Sequence, residues 1–74
     1  MDCRAIIRKM RHQKGHSQEY MADKLNISQK TYSNIENDKS PLTLTMLEKI
    51  AAVLEVSFLE LLPQRLKMPD YDKN

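Results

Sequence analysis

"QEYMADKLNISQKTYSNIEN", residues 18–37, decides the fold. It reads as two short helices around a three-residue break. Ser17, just ahead, offers an N-cap, and Glu19 in the first turn suits the positive end of the helix dipole. Met21, Ala22 and Leu25 are spaced to face inward. At "NIS", Asn26 takes a left-handed backbone at low cost, Ile27 is apolar, and Ser28 caps the next helix. At about 100° per residue, Gln29, Lys30, Ser33 and Asn34 fall within one arc of roughly 140°. Thr31, Tyr32 and Ile35 gather on the other side. The second helix thus has a side that locks it down and an outer side of amides, hydroxyls and one cation.

The flanks also read as helix. Cys3, Ile6, Ile7 and Met10 share one helical face, and Gly15 sits where a C-terminal cap ends it. Downstream, a fourth helix begins at Thr43 with the stripe Leu44, Leu47, Ile50, Ala51, Leu54. Ser57 and Glu60 form a capping box for a fifth, with Val56 placed to staple onto Leu61, and Pro63 closes it. One Gly, three Pro and no alternating apolar runs argue against a sheet. The expectation is a compact all-α, five-helix domain over residues 1–62 and a short, polar, flexible tail over residues 63–74.

Composition excludes several classes of function. No apolar run approaches a membrane span, and the basic start lacks the apolar block of a signal peptide. A single Cys cannot form an internal disulfide, which fits a reducing cytoplasm. Cys3, His12 and His16 are the only hint of a metal site. Gly15 separates the two His and no fourth ligand is apparent, so no metal is expected. So short a helical chain offers little concavity for a catalytic pair, so neither an enzyme nor a cofactor or small-molecule site is expected. The net charge of +2 is unevenly spread: residues 1–40 carry eight Lys/Arg and five Asp/Glu, residues 41–74 four and five. The first part is mildly basic.

Two helices separated by a short turn, the second polar outside, describe a helix-turn-helix. The residues "SQEYMADKLNIS", "IEN" followed by Lys39, and "LEKIAAVLEVSFLELL" resemble the Cro/repressor-type (Xre-like, lambda-repressor-like) helix-turn-helix family over roughly residues 4–62. The resemblance implies a five-helix domain that binds double-stranded operator DNA, usually as a homodimer, with the third helix in the major groove. It places Gln29, Lys30 and Asn34 at base edges, with Ser33 on the same face. It places Gln18 on a phosphate, Lys39 and the backbone of Asn37 to Ser40 on neighbouring phosphates, and Ser28 at a helix start that favours anions. Arg11 and Glu36 match the family's ion pair between helix 1 and the end of the recognition helix.

The chain departs from that pattern at Asn26, Asp38 and Glu55, where family members often have Gly. Asn and Asp tolerate positive φ, whereas Glu55 would cost on the order of 1 kcal/mol there, so its turn is expected to be built differently. Tyr32 stands for the usual aliphatic residue, its hydroxyl expected near the DNA backbone. In the last helix Leu59 and Leu62 are assigned inward, Phe58 and Leu61 towards a partner chain.

Taken alone, the polar face of helix 3 is ordinary solvated surface. The helix and turn before it reverse that reading, because they set this face where such proteins read DNA. Gln and Asn pair bidentately with adenine, and Lys reaches guanine acceptors. The expected function is a sequence-specific, repressor-like regulator acting on a two-fold operator. The rival is a protein-interaction module or antitoxin-type partner binder on the same fold.

Overall fold

The computed structural model describes residues 3–63, and every regular element among them is helical. They are α1 (Cys3–Lys14), α2 (Gln18–Leu25), α3 (Gln29–Glu36), α4 (Leu44–Leu54) and a closing 3₁₀ turn (Phe58–Leu61). The fifth helix is therefore a single 3₁₀ turn, and the described residues hold four α-helices. Pro63 explains this. It forces Leu62 into an extended conformation (φ −87°, ψ 146°), leaving one turn between that residue and the Ser57 cap. The capping box is formed, with Glu60 Oε2 accepting from the Ser57 N–H at 3.0 Å.

Three further caps act alike. The hydroxyls of Ser17, Ser28 and Thr43 accept from the N–H of Tyr20, Thr31 and Met46 at 2.9, 3.0 and 3.1 Å. Each satisfies one of the donors that a helix start leaves without an intrahelical partner.

The helix ends share one device. Gly15, Asn26 and Glu55 have φ of 74°, 61° and 60°. Behind them, His16, Ile27 and Val56 donate their N–H to Arg11, Ala22 and Ala51 at 3.0 Å, the closing bond of a Schellman motif. The Glu55 turn is thus built like its siblings, against expectation. The bond from Val56, which packs on the core, holds Glu55 in a conformation its Cβ disfavours.

Ile7, Met21, Ala22, Leu25, Tyr32, Leu47, Ile50, Ala51, Leu54 and Leu61 form the buried core. Ala22, small and buried, lets α3 cross closely over α2. Leu44 leaves the expected α4 stripe: at the first position of the helix it stands clear of the core, 60% exposed. The last turn also reverses the assignment. Leu61 is fully buried and Leu59 is 56% exposed, while Phe58 and Leu62 pack partly against the core. A 3₁₀ turn advances about 120° per residue rather than 100°, so the face that Leu61 presents differs from the one an α-helix would give. Residues 64–74 of the expected tail lie outside the described residues, and Pro63 is buried.

Candidate nucleic-acid interface

Helix α3 buries Tyr32, Ile35 and Glu36. Gln29 and Lys30 are exposed at its start, and Ser33 and Asn34 are half-buried one turn on. Thr31 also faces solvent instead of joining the buried side, and its hydroxyl accepts from that of Ser28 at 2.8 Å. Ser28 is thereby engaged twice, as cap and as donor. The N–H groups of Gln29 and Lys30 open α3, where no acceptor exists within the helix.

Glu36 is the hub behind this face. Arg11 Nε donates to its Oε2 at 2.8 Å and Arg11 Nη2 to Oε1 at 3.0 Å, a two-pronged pair. Gln18 Nε2 donates to Oε1 at 3.0 Å and the Tyr32 hydroxyl to Oε2 at 2.6 Å. One carboxylate thus joins α1, α2 and α3. Burial would raise its pKa, but hydrogen bonds from Arg11, Tyr32 and Gln18 outweigh that and hold it below the ordinary glutamate value. The bond to Glu36 raises Arg11 in turn. Burial, with Glu36 alongside, pushes the Tyr32 phenol far up, so it remains a donor. The Tyr32 hydroxyl therefore points into the protein, not towards a DNA backbone. The amide of Gln18 has one hydrogen committed to Glu36 and a second left for an outside acceptor.

The turn after α3 satisfies its own backbone donors. The N–H groups of Asn37, Asp38, Lys39 and Ser40 donate to Ser33, Ile35, Asn34 and Asn34 at 2.9, 3.3, 2.7 and 3.2 Å. Those backbone donors, expected to grip phosphates, already have partners within the chain. Contacts from this turn fall to side chains: Lys39 and Asn37 are exposed and Ser40 is half-buried. Asn37 Nδ2 donates to the Ser33 hydroxyl at 3.2 Å.

Two residues with a part in this site escaped the reading of the sequence. Arg4 Nε donates to the Ile35 carbonyl at 2.8 Å and its Nη2 to the Ser40 carbonyl at 3.1 Å, while Nη1 lies 3.2 Å from Asp38. Arg8 Nη2 donates to the Glu36 carbonyl at 3.0 Å, and Arg8 Nε stands 3.8 Å from the Glu36 carboxylate. Cations at a helix C-terminus satisfy carbonyls and oppose the negative end of the dipole. The signal was available, since positions 4, 8 and 11 lie within about 60° on a helix.

His16 stacks on Tyr20 with ring centres 4.2 Å apart, and His12 Nε2 lies 3.3 Å from Arg11 Nη2. Among the described residues, no group of three His, Cys, Asp or Glu is placed to hold a metal ion. No described helix is long and apolar enough to cross a membrane.

The family model described as helix-turn-helix matches residues 7–61, well over half of the chain. The chain belongs to this Xre/lambda-repressor-like helix-turn-helix family. It is a family of DNA-binding regulatory domains and not of enzymes. No match was found among curated proteins or solved structures. Within the helix-turn-helix frame, α2 and α3 are the two short helices joined by a tight turn.

Proposed function

We propose that this helix-turn-helix protein is a repressor-like regulator in the cytoplasm that binds a two-fold operator as a homodimer, with α3 in the major groove. The observation that carries the reading is the two-sidedness of α3. Its inner side is fixed through Glu36 to two other helices, and its outer edge leaves Gln29, Lys30, Ser33 and Asn34 towards solvent. Gln29, nearest the N-terminus, reads a base directly, and Lys30 and Asn34 reach its neighbours. Gln18, Ser28, Asn37, Lys39 and Ser40 surround this edge and meet phosphates, which position the protein without reading sequence. The outward Leu59 and half-buried Phe58 supply the self-association surface in place of Leu61. Occupancy of the site then blocks or contacts polymerase.

The two kinds of contact predict two phenotypes. Gln29→Ala should cost about 1–3 kcal/mol on the preferred site and relax discrimination at one base pair per half-site. Lys39→Ala should weaken binding to every sequence and flatten the salt dependence by about one unit. Affinities over a set of single-base duplex variants at two salt concentrations test this. If the phenotypes are exchanged, the roles are wrongly assigned. If wild type prefers no duplex, the polar edge is solvated surface and the partner-binding reading replaces this one.

A further inference from the structure

We propose that Arg4 is a positioning residue for DNA binding, which holds the turn after α3 in the shape that presents Lys39 and Asn37 to the DNA backbone. The inference rests on the reading that this turn meets phosphates.

Asp38 has φ 62° in the middle of the turn. An L-residue there lacks the freedom of glycine, and the conformation persists only if its surroundings hold it. Arg4 is placed to do this. Its Nε takes the Ile35 carbonyl before Asp38, its Nη2 takes the Ser40 carbonyl after it, and its Nη1 pairs with the Asp38 carboxylate. One planar fork therefore bridges both ends of the turn and its strained centre. Lysine, a single flexible ammonium, cannot reproduce three fixed directions.

The Arg4 side chain is only 20% exposed, so its donors are turned to the protein and not offered to a phosphate. Lys39 and Ser40 both donate their N–H to the Asn34 carbonyl, on the helix that carries the base-reading edge. Whatever fixes this turn also fixes the end of α3.

The test is a double-mutant cycle in the full chain, read by fluorescence anisotropy on labelled duplexes and by amide hydrogen exchange. Arg4→Lys should bind every duplex about tenfold more weakly with unchanged base preferences, and the Lys39 and Ser40 amides should exchange faster. In an Asp38→Gly background, where glycine accepts the left-handed turn without strain, the same substitution should cost less than about threefold. If Arg4→Lys alone proves unfolded, the comparison within the Asp38→Gly background decides by the same limit. Wild-type binding by Arg4→Lys, an equal loss in both backgrounds, or unchanged amide exchange would each overturn the inference while leaving the DNA reading intact. A wild type that binds no duplex overturns both.

Discussion

Helix α1 is held on two sides by two different chemistries. Towards α3 it sends Arg4, Arg8 and Arg11, which end on carbonyl oxygens and on the Glu36 carboxylate. Towards α4 and the 3₁₀ turn it packs with apolar side chains, and Ile7 joins Leu47, Ile50, Leu54 and Leu61 in one core. Apolar burial is non-directional and tolerates small rotations. Hydrogen bonds to a carboxylate fix angle as well as distance. Helix α3, which the proposed function sets against DNA, is the one fixed by directional bonds, whereas the far side of the domain relies on burial.

The polar seam should break hardest. The Arg11 side chain is 9% exposed and that of Glu36 1%, so Arg11→Ala strands a buried carboxylate. Such a loss costs about 3–5 kcal/mol, a large share of a small domain's stability. Thermal melts should show a deep drop for Arg11→Ala and almost none for Lys9→Ala on the exposed side of α1. The seam should also respond to acid. Because Glu36 has a folded pKa below its unfolded one, its contribution is present above about pH 4.5 and is lost as pH falls through the lower folded value. Glu36→Gln should start less stable and lose less between pH 5 and pH 3. Parallel acid profiles for the two proteins would remove the carboxylate from the centre of the seam.

The apolar side gives the opposite signature. Leu61→Ala should cost about 2–5 kcal/mol, since the side chain is fully buried, with no change in the acid profile. Leu59→Ala, two residues away and outward, should stay within about 0.5 kcal/mol. Leu59→Asp should leave the melt of the monomer almost unchanged and weaken self-association in sedimentation. If Leu61→Ala melts like wild type and Leu59→Ala does not, the orientation of the closing turn is the reverse of that described.

How far the sequence could be read follows the same division. The caps at Ser17 and Ser28, the helix start at Thr43, the left-handed Asn26 and the Arg11–Glu36 match were legible because each depends on residues a few positions apart or on a family pattern. The α3 face was legible because helical periodicity sorts it. What depends on tertiary context was hidden, as three cases show. The five residues between Ser57 and Pro63 leave room only for a 3₁₀ turn in place of the last helix, which inverted Leu59 and Leu61. The spent N–H groups of residues 37–40 depend on how the chain folds back on Asn34. Arg4 and Arg8 drew no assignment because their partners, 28 to 36 positions away, are mostly backbone carbonyls with no residue identity to read.

The smallest effect concerns the end of α4, on the apolar side. Glu55 is left-handed and its side chain pairs with none of the described residues, unlike Asp38, whose carboxylate faces Arg4 at 3.2 Å. Its strain, on the order of 1 kcal/mol, is offset only by the backbone bonds from Glu55 and Val56 to Ala52 and Ala51 at 3.1 and 3.0 Å. Glycine would remove the strain but enlarge the freedom of the unfolded chain, which returns roughly half of the gain. Glu55→Gly should therefore stabilise the protein by about 0.5 kcal/mol, and Asp38→Gly should not, because it also discards the contact with Arg4. Urea denaturation at neutral pH resolves the two variants through their midpoints at equal slope. Equal gains at both positions would mean that Arg4 does nothing for the turn it touches, and the polar seam would then end at Arg8.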